Sequence, residues 1–468
     1  LRSVDRLLEA SRAFKNAAES NPRWADCWFN LGETYRRMAK HPDAIKALQK
    51  ATDLEANNPA FYFTLGNAYL DAGLMDEAVE AYQTALQWDQ NILDAQNNLG
   101  IALQKLGKLD EAVDTFRNIL EQHPENAAAQ NNLGLALTQL GQTSEAESAF
   151  ASALDTAPDY IDAKLNLVDL YLQTAEFERA AHHINKAISK DSQNPHLLVK
   201  LGIVLQKQGR LEEAREVLRN ASGMRGAETS ASNVLANVLR DLGEFESART
   251  ILGRLAENAP EYTGTMANLA LIHQHQGEVV KAEELLRRAI KKEPDNAALH
   301  INLAHTLLLQ GNFQKGWKEF QWRLEEPVAK KQLSNLPGNL WDGGDLSGKS
   351  VLVVCEQGAG DCFQFIRLVP LLADKTRELI LSVPTRLFRF LRNFSHDCKV
   401  ISKDDTAPNT DIHVPLMDLP YRLGIKDIPS SIPYLQAEDE LVKKWAEHLI
   451  SKKFKVGLSW QGNRAYET

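Results

Sequence analysis

Nine leucines spaced 34 residues apart constrain the fold of this chain more than any other feature of the sequence. They keep their register without an insertion or a deletion: Leu31, Leu65, Leu99, Leu133, Leu167, Leu201, Leu235, Leu269 and Leu303. A fixed period of this length is typical of a repeat array, in which each unit packs mainly against its neighbours. The sequence therefore predicts a tandem series of similar units over most of the chain.

Small residues follow the leucines at constant distances. The next position is small in every unit but one: Gly32, Gly66, Gly100, Gly134, Gly202, Ala236, Ala270 and Ala304, with Val168 as the exception. Thirteen positions after the leucine an alanine recurs, from Ala44 to Ala282. Small residues let two helix backbones approach closely, and prolines in the same register, such as Pro124, end the helices. The pattern predicts one pair of antiparallel helices in each unit.

This pattern resembles the tetratricopeptide repeat. The resemblance implies an α-solenoid that coils as a right-handed superhelix. We expect residues 1–22 to form the second helix of a partial repeat, so that the chain begins within a repeat. We expect nine repeats over residues 23–328, of which the last is irregular because Gly316 replaces the usual alanine.

An asparagine immediately precedes the leucine in six of the repeats: Asn30, Asn98, Asn132, Asn166, Asn268 and Asn302. An amide side chain offers both a donor and an acceptor, which suits pairing with the backbone of an extended peptide. The row resembles the asparagine ladder of O-linked N-acetylglucosamine transferases, which implies a groove that binds peptide or protein. In the alternative interpretation these asparagines only cap local backbone or face solvent. Thr64, Lys200 and Val234 interrupt the row.

Composition and charge argue against several classes of partner. The net charge of -9 lies in residues 1–336, because the remainder is balanced, and this argues against nucleic acid or an anionic membrane as the main partner. No run approaches the roughly 18 apolar residues of a membrane span. The four scattered cysteines fit neither a disulfide framework nor a metal site, and they favour a reducing compartment, the cytoplasm. His273 and His275 do not share a helix face, so we expect no metal there.

From residue 350 onward the pattern changes class. A β-branched apolar run at 350–355 is followed by a glycine-rich turn at 356–361 and then by helical spacing of apolar residues at 363–372. Strand, turn and helix in this order form the first half of a βαβ unit. Further strands are expected at 378–383, 399–401 and 411–415, with a helix at 386–394. The sequence predicts an α/β domain at 350–437 after a linker at 329–349.

An ordered string of motifs extends from the last repeat to the end of the chain. It comprises Gly316-Trp-x-Glu-Phe-x-Trp-Arg323, Leu340-Trp-Asp-Gly343, Glu356-Gln-Gly-x-Gly-Asp361, Pro415-Leu-Met-x-Leu-Pro420 and Val456-Gly-Leu-x-Trp-x-Gly-Asn463. The string resembles bacterial tetratricopeptide proteins whose C-terminal module is glycosyltransferase-like and similar to heptosyltransferases. The resemblance implies a GT-B module of two Rossmann-like domains that transfers a sugar from a nucleotide sugar to a hydroxyl acceptor, without a cofactor or a metal.

The same resemblance assigns parts of this module. Residues 350–437 would be the acceptor-side domain, 438–453 a connecting helix, and 454–468 the first strand of the donor-binding domain. We expect the rest of that second Rossmann-like domain to be missing and the chain as given to be inactive. Donor contacts are expected from Trp460, Gly462 and Asn463.

The resemblance also implies roles on the acceptor side. Asp361 would be the general base that takes a proton from the acceptor hydroxyl, and the alternative is that it only caps a helix. The residues expected to line or brace the acceptor are Gln357, Gly358, Gly360, Gln364 and Arg367. His413 is a second candidate base, with a structural role as the alternative, and no role is transferred to Asp418.

Two other functions compete with the sugar transferase. In the first, the protein is a non-catalytic scaffold for protein–protein interaction. In the second, the α/β module binds a sugar without transferring it. Loss of turnover in Asp361→Asn with the fold retained would favour the enzyme, because a scaffold has no turnover to lose.

Overall fold

The computed structural model describes residues 2–258, 262–356, 358–394, 397–426, 435 and 439–448. The chain divides into two compact units, Leu1–Glu213 and Ala214–Thr468. Within the described residues no helix has the length and apolar character needed to cross a lipid bilayer.

The first unit is helical throughout its described part. Its helices are α1 (Arg2–Ser20), α2 (Ala25–Arg37), α3 (His41–Leu54), α4 (Pro59–Ala72), α5 (Met75–Trp88), α6 (Leu93–Lys105), α7 (Leu109–Gln122), α8 (Ala127–Gln139), α9 (Thr143–Thr156), α10 (Ile161–Gln173), α11 (Phe177–Lys190) and α12 (Pro195–Lys207), and α13 (Leu211–Ser222) contains the unit boundary. From α2 to α10 each even-numbered helix packs against the odd-numbered helix that follows it, as α2 does against α3. This confirms the prediction of tandem helix pairs.

Close packing inside each pair explains the small residue after the leucine. A Cβ atom placed on Gly100 would lie 2.6 Å from Cε1 of Phe116, and one on Gly134 would lie 2.6 Å from Cε1 of Phe150. Both aromatic rings are fully buried. The glycine thus makes room for a large side chain of the partner helix, and the two residues together form the centre of each pair.

A left-handed residue ends the first helix of most pairs. Gly107 has φ 76° and Gly141 has φ 75°, but two repeats place alanine there, with φ 55° at Ala39 and φ 59° at Ala175. A side chain is disfavoured in this conformation because its Cβ crowds the following carbonyl. The packing of the helix pairs therefore imposes the left-handed turn even on alanine, which disfavours this conformation.

The second unit begins with further helix pairs. Its helices are α14 (Glu228–Asp241), α15 (Phe245–Asn258), α16 (Thr263–His275), α17 (Val279–Lys292), α18 (Ala297–Leu309), α19 (Phe313–Phe320) and α20 (Pro327–Ser334), with a 3-10 helix at Gln321–Glu325. Here too consecutive helices pack as pairs, α14 with α15, α16 with α17 and α18 with α19.

A small parallel sheet follows the last pair, as predicted. Its strands are β1 (Asn339–Leu340), β2 (Ser350–Val354), β3 (Glu378–Val383), β4 (Lys399–Ser402) and β5 (Ile412–Pro415), in the order β1-β5-β2-β3-β4. All neighbours are parallel. The chain adds strands on one side of β2 and then returns to its other side, so the direction of winding switches between β2 and β5.

Short helices lie between the strands and after the last of them. They are α21 (Ala359–Phe365), a 3-10 helix (Ile366–Lys375), α22 (Thr385–Leu391), a 3-10 turn (Leu416–Asp418), α23 (Leu419–Arg422) and α24 (Asp439–His448). The helix expected at 363–372 is divided because Pro370 lies within the 3-10 segment and has no backbone N–H to donate. The expected linker at 329–349 contains most of α20 and all of β1. Of the predicted connecting helix, 439–448 is helical, and the strand predicted at 454–468 lies outside the described residues.

The last helix pair and the sheet share one core. Trp317 and Phe320 of α19 lie in the same buried cluster as Trp341, Val351 and Phe365. The rings of Trp317 and Phe365 meet edge to face, with centroids 5.5 Å apart. The aromatic motif that ends the repeats therefore supports one side of the α/β region.

Candidate functional site

The first helices of neighbouring repeats lie side by side within each unit. In the first unit α2 contacts α4, and the contacts continue through α6, α8 and α10 to α12. In the second unit α14, α16 and α18 are arranged in the same way. Residues at one repeat position on these helices therefore form a row, and the asparagines before the leucines occupy such a row.

Hydrogen bonds link these asparagines from repeat to repeat. The amide of Asn132 donates to Oδ1 of Asn97 at 2.9 Å, and that of Asn166 donates to Oδ1 of Asn131 at 2.8 Å. Asn98 likewise donates to Asn67 at 2.9 Å. In three consecutive repeats of the first unit, the asparagine of the row thus bonds an asparagine of the preceding repeat, and Asn131 also donates to Asn132 at 3.3 Å. In the second unit Asn268 donates to Asn233 at 3.3 Å.

These bonds leave part of each amide available. An asparagine side chain has two N–H donors and a carbonyl oxygen with two lone pairs. Asn98, Asn132 and Asn166 are half-buried, and one bond to the preceding repeat holds each in a fixed orientation. Groups that are already oriented lose less conformational entropy when they bind a ligand.

For Asn30 and Asn302, the remaining members of the predicted row, the hydrogen bonds follow other patterns. Asn30 is exposed, and its amide donates to the carbonyl of Asp26 in its own helix at 2.8 Å. The backbone carbonyl of Asn302 accepts a bond from Gln274 at 3.2 Å. Where the row is interrupted, Lys200 forms an ion pair of 2.6 Å with Asp169. The alternative of local capping thus describes Asn30, and the repeat-to-repeat pattern describes Asn98, Asn132, Asn166 and Asn268.

A cleft of about 410 Å³ opens at the carboxyl edge of the parallel sheet. Its walls include Val354 and Pro415, the last residues of β2 and β5, and Lys403 just after β4. Gln332 of α20 lines the opposite side. Open parallel sheets bind ligands at this edge, where the winding direction switches. The cleft therefore occupies the position at which this topology favours a ligand site.

A buried ionic cluster forms one side of the cleft. Nη2 of Arg323 lies 2.5 Å from Oδ1 of Asp418 and 2.8 Å from Oε1 of Glu356. The amide N–H of Met417 also donates to Oε1 of Glu356 at 3.3 Å. Three atoms of the cluster are buried without a hydrogen-bond partner among the described residues: Nε of Arg323, Oε2 of Glu356 and Oδ2 of Asp418. Arg323 and Glu356 line the cleft, so a polar ligand there would meet unsatisfied groups.

Burial alters the acidity of Glu356. Desolvation raises the pKa of its carboxyl, and the nearby Arg323 guanidinium opposes this by favouring the charged form. A carboxyl with a raised pKa at the mouth of a cleft is suited to exchange a proton with a ligand. Glu356 is thus the described residue of the cleft best placed for acid–base chemistry.

The residues predicted for the acceptor side do not meet in this cleft. Asp361 is the third residue of α21, whose N-cap is Gly358, so Asp361 does not occupy the capping position that was the alternative to its role as base. Its carboxylate lies in the first turn, where the helix dipole favours a negative charge. Gln364 and Arg367 line a separate cavity of about 10 Å³. Gly358 and Gly360 are exposed, and Gln357 lies outside the described residues.

His413 makes a structural contact, and its role as a second candidate base stays a prediction. It is buried in β5, and its Nδ1 donates to the carbonyl of Pro337 at 3.1 Å, which ties the sheet to the segment before β1. The donor-side residues predicted from the resemblance, Trp460, Gly462 and Asn463, lie outside the described residues.

Sequence reasoning missed the ionic cluster. Glu356 follows a buried strand at the carboxyl edge, which was a usable signal. Arg323 ends the aromatic motif after the last repeat, but nothing in its local sequence indicates a partner 95 residues away at Asp418. Ionisable residues that are this deeply buried are rare unless they are paired, so only the fold reveals them.

Two family models, both of the tetratricopeptide repeat, match the sequence. One matches residues 29–92 and 97–161, and the other matches 137–198, 205–270 and 273–316. The matches cover helices of both units and stop within α19, before the parallel sheet.

Curated relatives and solved structures are similar over part of their length. Protein FlbA of Caulobacter vibrioides is 33% identical over 67 residues, 14% of this chain and 11% of FlbA. A peroxisomal targeting signal receptor of Komagataella phaffii is 36% identical over 58 residues, 12% of this chain and 10% of the receptor. The chain thus spans about a tenth of these relatives. A tetratricopeptide repeat protein from Parabacteroides merdae has a TM-score of 0.46 and 17% identity, over 53% of this chain and 98% of that one.

Proposed function

Because this chain belongs to the tetratricopeptide-repeat family, we propose that it is an interaction scaffold that binds an extended segment of a partner protein along the first helices of its repeats. The observation that supports this most directly is the continuous amide row formed by Asn98, Asn132 and Asn166, each oriented by a bond to the preceding repeat. An extended peptide offers a backbone N–H and C=O at each residue, which complement such amides. One relative is by name a receptor for a targeting signal, which agrees with recognition of a peptide.

The test is selection of peptides from a random library on the immobilised protein, followed by affinity measurements on the triple variant Asn98→Ala, Asn132→Ala and Asn166→Ala. We expect the triple variant to weaken binding at least tenfold, since each lost hydrogen bond contributes about 0.5–1.5 kcal/mol. The control carries Asn118→Ala and Asn185→Ala, two exposed asparagines on the second helices α7 and α11. Equal affinities of both variants for every selected peptide would contradict the proposal.

A second candidate function is the sugar transfer implied by the C-terminal motifs, from a nucleotide sugar to a hydroxyl acceptor. The observation that favours it is the cleft at the switch between β2 and β5, lined by a carboxyl whose pKa is raised. A general base must lie within reach of the hydroxyl proton that it removes. Glu356 borders the cleft, whereas Asp361 does not, so Glu356 is the preferred base.

Titration with UDP-, GDP- and ADP-sugars and with candidate acceptor sugars tests this second function, on protein in which the expected second Rossmann-like domain has been restored. The readouts are binding by calorimetry and release of nucleotide. We expect Glu356→Gln to abolish release and Asp361→Asn to leave it within a fewfold of wild type. The opposite ranking would return the role of base to Asp361. The absence of both binding and release with wild-type protein would leave the scaffold as the sole proposed function.

A further inference from the structure

The thiols of Cys355 and Cys362 touch each other beside the cleft. Their Sγ atoms are 3.1 Å apart, and the two residues are 2% and 1% exposed. Cys355 follows the last residue of β2, and Cys362 lies in α21. A disulfide bond has an S–S length of about 2.05 Å, so the two sulfurs need to approach by only about 1 Å to be joined.

The local backbone permits this approach. The amide N–H of Cys355 donates to Ser382 at 2.9 Å, which anchors the first sulfur to the sheet, and that of Cys362 donates to Gly358 within the turn. A Cβ atom added to Gly360 would meet nothing within 4 Å. The exposed start of α21 therefore has open space at Gly360, which leaves room for the small local movement that the disulfide requires.

We propose that Cys355 and Cys362 form a reversible redox pair, which peroxide closes to an intramolecular disulfide and a dithiol reopens. The thiolate of Cys362 attacks one oxygen of hydrogen peroxide, breaks the O–O bond and becomes a sulfenic acid, and hydroxide leaves. The thiolate of Cys355 then attacks the sulfur of Cys362, the S–S bond forms as the S–O bond breaks, and hydroxide leaves. The protons that the two thiols gave up convert both hydroxides to water. Overall, two thiols and one peroxide give one disulfide and two waters.

The order of the two steps follows from the contact. The contact with Cys355 lowers the pKa of Cys362, whereas the same contact together with burial raises the pKa of Cys355. The thiolate is the nucleophilic form of cysteine, so Cys362 reacts first and Cys355 resolves the sulfenic acid. The sequence argument for a reducing compartment is compatible with this pair, because a reversible disulfide is reduced there at rest.

The disulfide would close a ring that contains Glu356 and Asp361. In the oxidised protein the turn at the edge of the cleft is tied to the end of β2. The expectation that oxidation changes ligand binding at the cleft rests on the proposed sugar-transfer function. The formation of the disulfide does not depend on that function. The two proposals can therefore fail independently.

Both cysteines fall within one tryptic peptide, residues 350–367, because Lys349 and Arg367 are the flanking cleavage sites. The experiment treats the folded protein with hydrogen peroxide, unfolds it in N-ethylmaleimide, digests it and measures the peptide by mass spectrometry. We expect this peptide to lack two hydrogen atoms and to carry no maleimide. Treatment with dithiothreitol before alkylation should restore two maleimides.

Cys27 and Cys398 are about as buried as the pair, but each thiol contacts a backbone carbonyl instead of a second thiol, so they are internal controls in the same digest and should remain alkylated. The variant Cys362→Ser should leave Cys355 alkylated, or oxidised beyond the sulfenic acid. Two maleimides on the peptide 350–367 after peroxide would overturn the proposal. Added oxygen atoms in place of the missing hydrogens would overturn it as well, because the second thiol would then have failed to resolve the first.

Discussion

Arg323 and Asp418 are 95 residues apart in the sequence, yet their side chains form an ion pair of 2.5 Å with almost no exposure to solvent. Asp418 is fully buried, and the Arg323 side chain is 7% exposed. The pair joins the segment after the last repeat to the segment after β5. Glu356 binds the same guanidinium nitrogen, so Arg323 contacts two carboxyl groups, and Arg422 adds a longer contact of 3.8 Å to Asp418.

Replacing this arginine should destabilise the second unit strongly. Arg323→Met leaves two carboxylates buried without their main counter-charge, and breaking a buried ion pair in this way costs about 3–5 kcal/mol. The measurement is urea unfolding followed by tryptophan fluorescence, since Trp317 and Trp341 lie in the adjoining core.

The matched control is Arg377→Met. Arg377 pairs with Asp411 at 3.2 Å, but both side chains are at least half exposed. Exposed pairs contribute about 0–1 kcal/mol, so this variant should unfold close to the wild-type midpoint. Similar losses of unfolding free energy in the two variants would show that burial does not make the Arg323 ion pair contribute more than an exposed one.

Glu356 should make the stability of the second unit depend on pH. Its pKa in the folded protein is raised above the usual 4.5, so the folded state holds this proton more tightly than the unfolded state does. The folded state binds more protons in the interval between the two pKa values, and the contribution of Glu356 to stability therefore falls as pH rises through that interval.

Glu356→Gln removes this titration while preserving the shape of the side chain. The free energy of unfolding of wild type minus that of the variant should thus decrease as pH rises from 4.5 toward neutrality. Urea unfolding at several pH values measures the difference. A difference that increases with pH would mean that Arg323 outweighs burial and that the pKa of Glu356 is lowered in the folded protein.

The sequence predicted the parts of the fold that leave a local pattern in it, either a repeat or a continuous apolar run. The 34-residue spacing from Leu31 to Leu303 predicts the helix pairs, and the β-branched run before Cys355 predicts β2. The two-residue strand β1 was missed, because its pairing with β5 is determined by a neighbour more than seventy residues away. The contacts of Glu356 and Asp418 with Arg323 were missed for the same reason. Local pattern carries no information about which distant charges share a buried position.

Close packing within a repeat predicts opposite effects for one substitution at two glycines. Gly100→Ala places a Cβ 2.6 Å from the ring of Phe116, and overpacking of this kind costs about 1–3 kcal/mol. Gly253→Ala, on α15, meets nothing within 4 Å. It should stabilise its helix by up to about 1 kcal/mol, because alanine has the higher helix propensity.

Thermal unfolding of both variants measures the contrast. Phe116→Leu combined with Gly100→Ala should recover part of the loss, because the smaller side chain makes room for the new methyl group. Strictly additive losses in that double variant would contradict a direct contact between the two positions.

The turn at Ala175 should be improved by glycine. Ala175 holds φ 59°, where its Cβ costs about 1–2 kcal/mol, while glycine would add about 0.4–1 kcal/mol of freedom to the unfolded chain. The net expectation for Ala175→Gly is a gain of about 0.5–1 kcal/mol in the free energy of unfolding. Gly141→Ala, at the same position of the preceding repeat with φ 75°, is the reverse experiment and should lose a similar amount. If both substitutions lowered the unfolding midpoint of the first unit, the strain at Ala175 would have to be compensated by contacts of its methyl group.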